Sequence, residues 1–112
     1  MRSDMLPILL GLVLPEILFG AELCVSNGTD QTLHFTVQAA ASGERRAADL
    51  APDQSLCLPG DAGGTVAAFE SAQSIEGCSR LVPAGERDRL LDFARFDRCR
   101  WQSHDRESLP DD

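Results

Sequence analysis

Four cysteines, Cys24, Cys57, Cys78 and Cys99, offer the most chemistry in this 112-residue chain. None belongs to a C-x-x-C pair, so the spacing lacks the usual signature of zinc knuckles and of thioredoxin-type redox sites. Beside an export-type N-terminus over residues 1–21, disulfides are their natural use, ahead of a metal site or a redox or regulatory thiol. Four cysteines allow three pairings, and spacing alone does not choose among them. Parity gives one hint. Cys24 points opposite to Leu23 and Val25, as Cys57 does to Leu56 and Leu58, which places both thiols on the same relative side of their strands. That favours Cys24 with Cys57 and leaves Cys78 with Cys99. Each bridge would close a loop of a few tens of residues and contribute about 3–4 kcal/mol by the chain-entropy estimate.

Other reactive residue types are isolated. His34 stands between Thr32 and Thr36 on the polar side of an alternating stretch, where a surface histidine is the plainer reading than a base or metal ligand. His104 lies in a polar tail with nothing to fix its geometry. No serine has a nucleophile-elbow setting, and Gly60-Asp61-Ala62-Gly63-Gly64 lacks the lysine of a phosphate-binding loop. The acidic residues show no calcium-loop spacing. Asn27-Gly28-Thr29 matches a glycosylation acceptor, a triplet that also occurs by chance. No cofactor or metal is expected.

Arg87, Arg89, Arg95, Arg98 and Arg100 form the one cationic concentration, interleaved with Glu86, Asp88, Asp92 and Asp97. Mixed signs of this kind describe a solvated, salt-bridged face. Phe93, Phe96 and Trp101 share the stretch, and aromatic and arginine side chains dominate interface hot spots. Arg95, Phe96, Arg98, Arg100 and Trp101 are therefore a candidate partner surface, in competition with the core for the few aromatics the chain has.

These residues need a scaffold, and the pattern is mainly β. Leu33, Phe35, Val37 and Ala39 alternate with polar neighbours, the period of a half-buried strand. Leu23–Ser26 reads as a short strand closed by Asn27-Gly28. Further strands are expected at 45–50, 55–58, 65–69 and 74–82, separated by Ser42-Gly43, Pro52-Asp53, Pro59-Gly60 and Gly63-Gly64. Spacings of about ten residues point to a small antiparallel sandwich or barrel. Residues 86–96 combine helix formers with the helical spacing of Leu90, Phe93 and Ala94, which slightly favours a short C-terminal helix there over a strand.

The ends carry their own signals. Met1 and Arg2 followed by the apolar stretch Met5–Leu14, Pro15 and then Phe19-Gly20-Ala21 read as a secretory signal peptide over residues 1–21. The apolar run is too short for a membrane span, and Ala21-Glu22-Leu23 before Cys24 does not suit lipidation. The expected organisation is a signal peptide, one domain over residues 22–101 and a frayed acidic tail over 102–112. A chain this short leaves a marginal core, about 60–65% of its unfolded surface being buried, so covalent staples matter. The net charge of -8, with arginine as the one basic type besides histidine, argues against nucleic-acid binding.

Leu23-Cys24-Val25-Ser26-Asn27, Leu50-Ala51-Pro52 and Ser55-Leu56-Cys57-Leu58 resemble the opening of small exported bacterial sandwich proteins. Glu76-Gly77-Cys78-Ser79-Arg80-Leu81 and Phe96-Asp97-Arg98-Cys99-Arg100-Trp101 are similar to the endings of uncharacterised alphaproteobacterial secreted proteins. That resemblance implies compartment and fold and carries no activity. With no convergent acid, base and nucleophile, the expectation is a non-enzymatic periplasmic or secreted binding or accessory module, its partner an unidentified protein or small ligand. The alternative is a secreted enzyme inhibitor or small-ligand carrier. An inhibitor would present a rigid loop such as Asp61–Thr65, a carrier an apolar cavity between sheets, and a hydrolase a His34 held by a buried carboxylate.

Overall fold

Alternating strands with one apolar face can be buried only by packing a second such face against them, and that is the architecture found. The computed structural model describes residues 22–107; the expected signal peptide and residues 108–112 lie outside the described residues. Eight strands form in chain order: β1 (Glu22–Asn27), β2 (Leu33–Ala39), β3 (Arg45–Leu50), β4 (Ser55–Pro59), β5 (Gly64–Phe69), β6 (Cys78–Val82), β7 (Arg87–Asp92) and β8 (Arg100–Trp101). A short helix of six residues, α1 (Gln102–Glu107), follows.

The strands divide into two four-stranded sheets, ordered β4-β1-β7-β8 and β3-β2-β5-β6. The alternation of β2 sends Leu33, Phe35, Val37 and Ala39 inward, opposite Leu50 and Ala48 of β3 and Ala68 and Val66 of β5. From the other sheet come Leu23 and Val25 of β1, Leu58 of β4, Leu90 of β7 and Trp101 of β8. Burial of each large apolar side chain contributes about 1.5–3 kcal/mol, so this interlayer is the main source of stability.

The expected β-rich sandwich and its two staples are present, with three local differences. Residues 87–92 are a strand, and the one described helix lies further on, at α1. Helix propensity is overridden because β7 pairs with the neighbouring β1, Cys24 opposite Arg87 through Asn27 opposite Leu90, which turns Asp88 and Leu90 inward. That pairing is parallel, so the first sheet is mixed. The segment expected to be extended from Ser74 enters a strand only at Cys78. The tail expected from Gln102 instead begins with α1, whose Ser103 is buried.

Asn27 ends β1, and in place of the tight turn expected of Asn27-Gly28 a bend over residues 29–31 carries the chain to the other sheet, with positive φ at neither residue. The Asn27 side-chain amide donates to the carbonyls of Gln31 at 2.8 Å and Leu50 at 2.9 Å, and its Oδ1 accepts from the amide and hydroxyl of Thr29. Both amide hydrogens of this glycosylation-triplet residue are thereby committed to main chain, and the residue is buried. Asn27→Ala leaves those carbonyls short of a donor and is expected to cost about 2 kcal/mol, read as a lowered urea midpoint with unchanged slope. A loss below a few tenths of a kcal/mol would show that water replaces the side chain.

Candidate functional site

Cys24 and Cys57 are directly opposed on β1 and β4 and form one disulfide, on the outer side of their sheet as parity predicts. Cys78, which opens β6, is bonded to Cys99, just before β8, and so ties the two sheets together. Both pairings agree with the parity argument. Two disulfides fit an oxidising compartment. No described helix is long and apolar enough to cross a membrane.

The second disulfide holds two loops side by side, residues 70–77 between β5 and β6 and residues 93–99 between β7 and β8. Cys99 donates its amide to Sγ of Cys78 at 3.2 Å, and Ala94 donates to Sγ of Cys99 at 3.4 Å. The Ala94 carbonyl also lies 3.1 Å from Sγ of Cys78, a contact only, since a disulfide sulfur carries no proton to donate. Asp97 Oδ1 accepts from the amide of Ser79 at 3.1 Å, and a carboxylate oxygen of Glu76 accepts from the amide of Phe96. Ser71 and Ser74 bond each other's main chain and fold the first loop back. Gly77 is required where this loop crosses Phe69, because a Cβ there would lie 2.3 Å from the Ala68 carbonyl oxygen.

The product of these restraints is an unusual turn. Phe96 and Asp97 both have positive φ, 63° and 57°. Two consecutive left-handed residues are what Asn-Gly supplies in tight turns, and aspartate tolerates the region, whereas phenylalanine in it costs about 1–2 kcal/mol. The ring gains no burial in return: Phe96 is 72% exposed. Ile75, beside Glu76 on the facing loop, is 99% exposed. Strain at an exposed aromatic marks a place where the fold is held against its local preference. Between the loops lies an open recess of about 340 Å³ lined by Glu70, Ser74, Ile75, Glu76, Phe93 and Arg95. Phe93 is half-buried and packs against the core, and the Arg95 guanidinium stands over the Phe96 ring, 5.8 Å from its centroid.

The structure therefore separates the candidate surface residues. Arg95 and Phe96 belong to the strained turn and Arg98 is exposed beside it. Arg100 points outward from β8 and reaches Asp105 at 3.8 Å. Trp101 does not belong to the surface. It is 1% exposed, because alternation along β8 turns it inward opposite Leu90. Glu70, Ile75 and Glu76 escaped the sequence reading. An isoleucine in a serine-rich loop was the available signal, obscured by extending the strand back to Ser74.

Elsewhere the other candidates are occupied. His34 Nδ1 lies 2.8 Å from Asp49 Oδ1, a cross-strand pair, and its ring meets Phe69; the carboxylate is 69% exposed and not buried. The Asp61–Thr65 segment is not a projecting loop: a tight turn at Asp61 and Ala62 leads through Gly63, which has φ 75°, donates to Gly60 and accepts from Ala40, straight into β5 at Gly64. The recess is open at the surface and does not lie between the sheets. Glu22, Cys24 and Cys57 are the one described group of possible metal ligands within 4.8 Å, and its two sulfurs are joined to each other. Comparison of the chain with protein-family models, with curated proteins and with solved structures finds no match.

Proposed function

We propose that this chain is a non-enzymatic binding or accessory module of the periplasm or the secreted fraction, acting through the loop pair that carries Phe96 and Ile75. The observation that carries the reading is Phe96 itself, an exposed aromatic ring in a left-handed backbone held by Glu76 and the Cys78–Cys99 disulfide. Exposed aromatic and arginine side chains on a rigid frame are the chemistry of interface anchors, because little entropy is lost when they are covered. The two staples, the signal-like first 21 residues and the export-type resemblance of the segments around the cysteines support that compartment.

The test is site-specific photo-cross-linking in the exporting cell, with benzoylphenylalanine in place of Phe96 or, as control, of Ser42. Ser42 is exposed in the turn after β2, at the opposite end of that strand from its pairing with Phe69. Discrete adducts from position 96 and none of the same mass from position 42 are expected. Identical adducts from both positions, or none from position 96, would contradict the assignment of this end as the contact surface.

A further inference from the structure

Resting on that reading, we infer that the recess beside Phe96 receives a basic side chain, arginine or lysine, from an extended segment of a protein partner whose adjoining residues are apolar. The recess combines two features that such a segment matches. Its apolar parts are Phe93 at the floor, with Ile75 and, just beyond, Phe96 at the rim. Its polar parts are two carboxylates. Glu70 makes no hydrogen bond or ion pair among the described residues. Glu76 uses one oxygen on the Phe96 amide and keeps the other. Both carboxylates are exposed, so each gives the modest attraction of a surface ion pair, and the apolar contacts beside them add to it.

Arg95 is the one cation in the lining; it pairs with neither carboxylate, and two carboxylates against one guanidinium leave the recess with a net negative charge. Its guanidinium faces the Phe96 ring, and it forms no ion pair with Glu70 or Glu76 among the described residues. Stacked there it extends the flat rim that an apolar neighbour would cover. The size suits one long side chain with part of the next residue, since about 340 Å³ is at the lower end of ligand sites. The chain's net charge of -8 adds a long-range attraction for a cationic partner and opposes an anionic one.

Three acetylated, amidated probes titrated into the ¹⁵N-labelled oxidised protein and followed by NMR decide the matter: Leu-Arg-Leu-Ala, the same peptide with neutral citrulline for arginine, and the same with glutamate. The arginine probe is expected to shift the amides of Glu70, Ile75, Glu76, Phe93 and Arg95, and the citrulline probe to bind about five- to tenfold more weakly. Glu70→Gln is expected to weaken the arginine probe about two- to fivefold and leave the citrulline probe unchanged. Equal binding of arginine and citrulline probes, or preference for glutamate, would overturn the basic-side-chain inference while leaving the contact surface standing. Absence of shifts at these amides with every probe at millimolar concentration would overturn both.

Discussion

Replacing Cys78 and Cys99 together by alanine is expected to lower the unfolding free energy by about 3 kcal/mol and to abolish cross-linking from position 96. The stability term follows from a bridge spanning 21 residues. The functional term follows from position. Cys78 and Cys99 hold Ala94 and join the two loops, so without them the turn, whose backbone is disfavoured at Phe96, keeps among the described residues the Glu76 and Asp97 hydrogen bonds and the Arg95 ring contact. The Cys24 and Cys57 pair is the natural control. Its removal should cost a comparable amount, since it spans 33 residues, yet it lies within one sheet on strands already in register and should leave the turn intact. Urea unfolding followed by the fluorescence of Trp101, the single tryptophan, measures the first term, and amide exchange at Phe96 the second. Equal loss of the turn in both double variants would mean that it depends on global stability and not on the local staple.

Asp88→Ala is expected to be at least as damaging, at about 3–5 kcal/mol, because it removes the negative member of a buried charged cluster. Asp88 points between the sheets and is 2% exposed. It accepts from the Ser103 amide at 3.0 Å and from the Ser103 hydroxyl, while Arg80 of β6 donates to that same hydroxyl at 2.7 Å and approaches the carboxylate at 3.9 Å. One carboxylate thus fixes α1 to β7 and links both to the opposite sheet. A loss of this size would consume much of the about 5–15 kcal/mol available to a small domain. The same urea titration reads it, and a cost below about 1 kcal/mol would show that water enters the cluster and takes over the carboxylate's role.

These two clusters also show where sequence reading succeeds and where it stops. β2 was plain because a half-buried strand imposes period two, and the turn at Pro52-Asp53 carries an aspartate that tolerates the left-handed backbone it adopts, φ 70°; Asn27-Gly28 has no positive φ, and Gly28 is needed there because a Cβ would lie 2.6 Å from the Leu90 carbonyl oxygen. Parity anticipated the disulfides, since two cysteines on opposed strands must share a face. β7 was obscured because its inward residues are Asp88 and Leu90, so a buried carboxylate broke the apolar alternation and left helix propensity unopposed. Ser103 and α1 were hidden for the same reason, being held by polar contacts to distant residues and not by an apolar stripe. Half of the candidate surface was visible as arginines and aromatics. The facing loop with Glu70, Ile75 and Glu76 was not, because long-range contacts bring it alongside: the Cys78–Cys99 bridge, the Glu76 contact to Phe96 and the Asp97 contact to Ser79.

The central claim is that Phe96 occupies its turn for the sake of a partner and at the expense of the fold, and equilibrium unfolding of Phe96→Asn tests it without knowledge of that partner. Asparagine adopts the left-handed region readily, so relief of the backbone cost, less the modest cation–π contact with Arg95, should stabilise the oxidised protein by about 0.5–1 kcal/mol. A higher urea midpoint at unchanged slope is the predicted result. A midpoint that falls would mean that the phenyl ring supports the structure, and the reading of this turn as a presented contact would be contradicted.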